Sequence, residues 1–427
     1  MEIFQKLGDE IGVLWRNENY NEEAFPSIAA AALKRAALPS KLSAWDAAEW
    51  TLKQAELPPQ RDPHANFGEP PITLYVGPRF YIDLYFWLEG TTAIHQHSFC
   101  GAFQVLMGSS IHSWYDFSVK ESVNDYTEIG EMDLKVCELL EVGAVQEIVA
   151  GRRYIHSLFH LDQPSATVVV RNDGSPRHQP QYSYHKPSLA LDPFFDHQTT
   201  TKKLQMISSL FRSNHPDTDR MVTGLLVSSD FQTTFRVLSA AHGALRTNEI
   251  EQIFNLSKST DRFRGFLNTA IQRHGEKAET LVEVFRHFDM VGEILRLRRL
   301  VSNPEHRFFF ALLMNIDGRE RIFSLIKQRF PDADPLEKVL DWTFDLANTR
   351  IAGAKNINAL GLESFDNADM FVLENLLHSR SVEQMRSDPA ANGLDLESKA
   401  AKIREAVIFR PLLITEKGEF ATQSSLP

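Results

Sequence analysis

Cysteine is scarce: only Cys100 and Cys137 occur in 427 residues, so no disulfide framework organises the chain. No run of about 18 apolar residues occurs, so no transmembrane helix is expected. Residues 1–10 carry Glu2, Asp9 and Glu10 and lack the basic start and apolar middle of a signal peptide. A cytoplasmic protein is the plain expectation. Positive charge is also in deficit, with 45 Lys and Arg against 56 Asp and Glu and a formal charge of −11. That balance argues against a broad nucleic-acid surface, which needs clustered Lys and Arg, although a local basic patch stays open. What the chain does have, 43% hydrophobic and 24% charged residues, fits a folded protein. At roughly 100–200 residues per domain, its length suggests two domains.

The texture changes along the chain. Residues 2–57 read as helices. Residues 29–38 are Ala-rich with Lys34 and Arg35 late in the run, as helix C-terminal ends prefer, and Ser43-Ala-Trp-Asp46 reads as a helix start. Pro58, Pro59, Pro63, Pro70 and Pro71 mark a connector. From Ile72 to Arg171 short strands dominate. Phe80, Ile82, Leu84, Phe86 and Leu88 alternate with Tyr81, Asp83, Tyr85 and Trp87, giving an apolar face and a face with polar handles. Further strand candidates are 92–97, 102–107, 110–117, 134–140, 145–149, 154–160 and 165–171. Gly90, Gly108, Gly130 and Gly143 punctuate them. Many short strands with turns imply a sandwich or closed barrel, of which the jelly roll is one form.

The stretch from Asn172 to Pro193 is too long for a hairpin loop and is expected to wrap the barrel or link domains. Tyr182, Tyr184 and His185 within it are expected on a solvent-exposed linker. From about Thr201 the pattern is helical. Asp334-Pro-Leu-Glu337 combines an N-cap Asp, Pro at the first helical position and Glu at the third. Ser302-Asn-Pro-Glu305 opens another helix, and Arg296-Leu-Arg-Arg299 reads as a solvated helix face.

Histidines carry the chemistry. His95 and His97 stand two apart, so on a strand both imidazoles point the same way. A barrel can bring a third histidine to the same point from about sixty residues on. Neutral imidazole is a good ligand for iron, zinc, copper or nickel, so the pattern points to a metal centre. His156 and His160 compete for the third place because, four apart on a strand, they share a face. His156 directly follows a predicted turn and is preferred. His160 would then be a catalytic or supporting donor. His112 reads as a hydrogen-bonded barrel histidine.

Gly90, His95, His97, Gln104 and Gly108, followed by Gly143 and His156, resemble the paired motifs of the cupins. Within that superfamily, Phe86-Trp87-Leu-Glu89-Gly90-Thr-Thr-Ala-Ile94-His95-Gln-His97 is similar to a run in the cysteine dioxygenase-type thiol dioxygenases. The resemblance covers residues 79–171, about a hundred of 427. Taken with the helical texture of both ends, it gives the expectation of an α+β multidomain chain. Residues 1–71 would be a helical lead and connector, 72–198 a cupin β-barrel (jelly roll), and 199–427 an all-α domain. Gln104 replaces the cupin glutamate and leaves three histidines, the ligand set of the thiol dioxygenases. Their crosslinking cysteine position falls on Ala102, and their Ser–His–Tyr run aligns with Thr167, Val169 and Arg171. The arginine that would hold a cysteine carboxylate falls near Pro70. Free cysteine is therefore a poor substrate expectation.

The expected site has His95, His97 and His156 as metal ligands and Gln104 and His160 as candidate catalytic groups. Tyr85, Trp87 and Arg171 are candidate substrate-binding residues, although the odd-numbered face bearing Tyr85 and Trp87 could instead pack under the N-terminal helices. Cys100 has a redox reading beside a plainer one as a buried packing residue. Fe(II) is the expected metal, with zinc, nickel or manganese as alternatives. Open positions on iron would admit both a substrate and dioxygen. Zinc would instead polarise water or a carbonyl. A non-haem iron oxygenase is thus the first expectation. A redox-inert isomerase or hydrolase and a non-enzymatic ligand-binding cupin are the others. The expected partners are a small-molecule or a carrier- or peptide-bound substrate, dioxygen for an oxygenase, and a second copy in a homodimer. No nucleic acid or membrane is expected.

Overall fold

The computed structural model describes residues 1–61, 63, 68–88, 93–195, 197–247, 256–351 and 357–414. Three helices lead: α1 (Glu2–Asn17), α2 (Phe25–Ala36) and α3 (Ala44–Lys53). Ser43 caps α3, its hydroxyl accepting from Asp46 N–H while the Asp46 carboxylate accepts from Ser43 N–H. That reciprocal pair satisfies two amide donors the helix cannot satisfy itself. The apolar stripe of α1 and α2, with Phe4, Ile11, Trp15, Phe25 and Leu33, is buried on the even-numbered face of the second strand.

Eleven strands follow among the described residues: β1 (Pro71–Val76), β2 (Phe80–Trp87), β3 (Ile94–His95), β4 (Gly101–Met107), β5 (Ser110–Asn124), β6 (Thr127–Leu140), β7 (Val145–Ile148), β8 (Ile155–His160), β9 (Ser165–Asn172), β10 (Ser183–His185) and β11 (Leu189–Leu191). One sheet has the order β1-β2-β9-β4-β7, and the others form a closed six-stranded ring, β10-β11-β6-β5-β8-β3. The pairings are antiparallel. The result is a closed β-barrel with a second antiparallel sheet. In β2, Phe80, Ile82, Leu84 and Phe86 join the core under the N-terminal helices. Tyr85 and Trp87 join the barrel interior with Phe99, Phe103, Val105, Tyr154 and Leu158.

The expected 92–97 strand is reduced to Ile94–His95, and Gly90 lies outside the described residues. The linker expectation for 172–193 is corrected. Tyr182 and Tyr184 are buried, and β10 and β11 close the ring by pairing with β3 and β6. Three-residue strands offer too few positions for a period-two pattern to stand out from a Pro-rich segment.

The helical half comprises α4 (Gln198–Arg212), α5 (Thr218–Ser228), α6 (Phe231–Thr247), α7 (Leu256–His274), α8 (Glu276–Leu300), α9 (Pro304–Asn315), α10 (Arg319–Arg329), α11 (Pro335–Asn348), α12 (Asn367–Leu377), α13 (Val382–Met385), α14 (Leu396–Glu405) and α15 (Arg410–Leu413). Asp334 caps α11 by accepting from Glu337 N–H at 3.0 Å, and Asn303 caps α9. The helices do not hang from the barrel. Ile111, Ile155 and Phe159, on its outer face, share one core with Phe308, Phe309, Phe310 and Trp342. Each such side chain contributes about 1.5–3 kcal/mol on burial, so the contact fixes the two parts together. The solvated-face reading of 296–299 fits the exposed Arg296 and Arg299 and is corrected at Arg298. Arg298 is 3% exposed and donates to the carbonyl of Leu161 at 3.1 Å and to that of Arg307 at 3.1 Å. No helix of the described residues is long and apolar enough to cross a membrane.

Candidate metal centre

His95 and His156 face each other across the β3–β8 pair, and His97 follows just beyond the short β3 strand. One ring nitrogen from each of the three lies within 4.8 Å of the others. His97 Nε2 and His156 Nε2 are 2.9 Å apart. Two nitrogens held about 2.1 Å from one ion at a right angle would stand about 3.0 Å apart, so the pair already has ligand spacing. The ring centroids are separated by 4.5, 4.8 and 5.0 Å.

Contacts behind the rings orient them. His95 Nδ1 lies 2.6 Å from the carbonyl oxygen of Ala93, which places the proton on Nδ1 and leaves the Nε2 lone pair free. His156 Nδ1 lies 3.1 Å from His112 Nε2, and His112 Nδ1 lies 3.1 Å from Glu138 Oε1. A half-exposed carboxylate thus steadies His156 through a second imidazole. Burial lowers the pKa of all three histidines. His97 is lowered further by His95 and Arg171, and His156 by His95, His97 and His112. The rings are held neutral, the form that binds a metal.

A cavity of about 720 Å³ opens in front of His95 and His97. Its other walls include Tyr81, Asp83, Tyr85, Phe99, Arg171 and the exposed Arg61. Arg171 lies over the Phe99 ring with its guanidinium carbon 3.5 Å from the centroid. Asp83 is 4% exposed. Tyr85 OH donates to its Oδ2 at 3.0 Å, while Oδ1 has no partner among the described residues. Burial raises the Asp83 pKa against the hydrogen bonds from Thr73 and Tyr85. Sequence reasoning missed Asp83 as a site residue. The signal was its place on the polar-handled face of β2, two residues from Tyr85.

Arg171 and Tyr85 therefore join His95 and His97 around the cavity. Trp87 and His160 share the barrel interior but stand elsewhere. Trp87 stacks on His160 with centroids 4.5 Å apart and donates to Thr167 Oγ1 at 3.0 Å. His160 Nδ1 lies between the hydroxyls of Ser110 at 3.0 Å and Ser165 at 2.9 Å, outside the three-histidine group. At about 3.3 Å per residue it is about 13 Å along β8 from His156.

Gln104 and Cys100 are not brought to the site. Gln104 alternates with Ala102 and Leu106, which pack under the N-terminal helices, and donates to the carbonyl of Gly143 at 3.3 Å. Cys100 is buried in that same helix-facing core, its Sγ 3.4 Å from the carbonyl of Glu22. Burial pushes its thiol up to about 12, with Glu22 and Glu23 adding to the rise, so it stays protonated.

No family model and no curated protein matches the chain. Among solved structures, it is similar to a cupin-2 domain-containing protein from Shewanella frigidimarina NCIMB 400. That likeness has 12% identity and a TM-score of 0.19, covering 32% of this chain and 98% of that one. It is also similar to the capsular polysaccharide assembling protein CapF from Staphylococcus aureus, at 18% identity and a TM-score of 0.18. There it covers 28% of this chain and 32% of that one. The fold described above rests on strand order and pairing, and the site on its own geometry.

Proposed function

We propose that this protein is a metal-dependent cupin whose His95, His97 and His156 hold Fe(II), and that it acts as a non-haem oxygenase of the dioxygenase kind. The observation that carries the reading is the convergence of three neutral imidazoles, without a carboxylate in the group, beside a large cavity. Fe(II) held there would supply the electrons that dioxygen needs and that side chains alone do not provide. The chain's own residues do the rest. Ala93 and the Glu138–His112 pair keep the lone pairs aimed inward. Arg171 supplies a fixed positive charge for an anionic group of the substrate, and Tyr85 and Asp83 form the polar wall nearby. The cavity takes a small molecule or the end of a carrier- or peptide-bound one.

The test is elemental analysis of anaerobically purified protein beside His97→Ala. Iron near one per chain, lost in the variant, supports the reading and calls for an oxygen-uptake screen of substrates. Zinc, nickel or manganese lost in the variant moves the reading to redox-inert chemistry. No metal in either protein after reconstitution overturns metal binding and leaves a ligand-binding barrel.

A further inference from the structure

A second cleft of about 320 Å³ lies between the barrel and the helical half, near the lower end of the size of small-molecule sites. It is on the reverse side of the strands that carry the histidines. Ile94 precedes His95 on β3 and Ser157 follows His156 on β8, and both line this cleft. Neighbouring residues on a strand face opposite ways, so the cleft lies behind the histidines and shares Ala93 with the lining of the cavity in front of them.

Its walls are mostly apolar. Tyr115 from β5 and Phe288 from α8 supply aromatic surface, while Ile94, Val291 and Met314 supply aliphatic surface. The charge comes from Lys186, whose side chain is only 12% exposed. Burial works against that charge, but the Asp317 carboxylate 2.9 Å away and a hydrogen bond to Tyr115 outweigh it and raise the Lys186 pKa. An ammonium has three donors, and among the described residues these partners take two, which leaves one for a further acceptor. Arg321 lies against the Asp317 backbone, its Nη1 3.5 Å from the carbonyl oxygen, and adds positive charge beside the Lys186–Asp317 pair. His185 and His287 also line the cleft. Burial is the main reason both fall to about 4, so at neutral pH they add dipoles and no charge.

We propose that this cleft binds a small organic carboxylate with an aromatic or branched aliphatic body. The carboxylate meets Lys186, and the body lies between Tyr115 and Phe288. A charge-assisted hydrogen bond in an apolar setting is the kind of contact that fixes such a ligand's orientation. The inference rests on the second cleft and stands whether or not the barrel carries iron.

Benzoate is the probe, titrated calorimetrically into the full-length protein. The wild type takes up one benzoate per chain saturably. Lys186→Met weakens binding by about tenfold or more. Val291→Trp abolishes binding by filling the cleft while leaving the Lys186–Asp317 pair intact, so it decides the matter even where Lys186→Met does not fold. Arg171→Met leaves the Lys186-dependent benzoate binding in place, because that arginine lines the other cavity. No saturable uptake by the wild type overturns the proposal. So does binding that survives Val291→Trp, or that is lost in Arg171→Met alone.

Discussion

The reading of His156 as a ligand is most open to attack through its support. His112 is fully buried and lines neither of the two cavities described above, yet it links His156 to Glu138 through two contacts of 3.1 Å. Replacing it by alanine removes the group that holds His156 Nδ1 and leaves that nitrogen buried. Loss of such a supporting contact typically lowers metal affinity about 10- to 100-fold, or about 1.4–2.8 kcal/mol. The same change costs about 1–3 kcal/mol of folding stability for the unsatisfied nitrogen, plus a cavity term. The gentler Glu138→Gln keeps an acceptor for His112 and removes only the carboxylate's charge, so a loss below about tenfold is expected. The assay is competition against a chromophoric chelator, run anaerobically on wild type, His112→Ala, Glu138→Gln and His160→Gln, with circular dichroism to verify folding. The expected order of affinity is wild type and His160→Gln together, then Glu138→Gln, then His112→Ala. A folded His112→Ala that binds metal as tightly as the wild type refutes the argument. A His160→Gln that loses the metal while His112→Ala keeps it would transfer the third ligand to His160.

Three further outcomes follow from the fold. His160 has its pKa driven by burial from 6.5 to about 3, so the unfolded chain takes up its proton first. Stability is full above about pH 6.5 and falls as the pH drops towards about 3, and urea unfolding of His160→Gln at pH 7 and pH 5 will show a flatter decline than the wild type. Phe309 is fully buried where the barrel and the helices share a core, so Phe309→Ala will cost about 3–5 kcal/mol, read from denaturant midpoints. At Gly101 a Cβ would stand 1.9 Å from the Val170 carbonyl oxygen, inside the β4–β9 pairing. Gly101→Ala will therefore break or shift that pairing and lower the melting temperature more than Gly265→Ala, whose Cβ meets nothing within 4 Å.

The histidine pair, the strand-rich middle and the helical end were legible because each rests on a local period. The face of β2 was legible in the same way: eight residues of alternation separate Phe80, Ile82, Leu84 and Phe86 from the cavity-facing Tyr81, Asp83 and Tyr85. Gln104 and Cys100 show where such counting fails. The chain leaves strand geometry after His95 and re-enters it at Gly101, so alternation counted from the histidines does not carry across the intervening turn. β4 sets its own phase, with Phe103 and Val105 inward and Ala102, Gln104 and Leu106 against the helices. A polar residue near a ligand pair in sequence can therefore lie on the opposite side of the sheet.

The remaining gaps are long-range ones. Arg298 looks like one of several basic residues on a helix, and nothing local tells that its guanidinium reaches the Leu161 carbonyl. Lys186 sits in a Pro-rich stretch, and its partner Asp317 is more than a hundred residues away. Both are charged groups buried where barrel meets helices, and a buried charge is tolerated only with partners in place. The same requirement explains the short β10 strand. Ser183 pairs with His95, while Tyr184 donates to Gln96 Oε1 at 2.6 Å, so the segment after the barrel proper is what braces the ligand strand. β10 is held in turn from the helical side, since Lys186, the residue that follows it, is anchored by Asp317. The helical half thus supports the candidate metal centre through β10 and the Lys186–Asp317 pair as well as through the core it shares with Ile155 beside His156, and none of its described residues stands among the ligands.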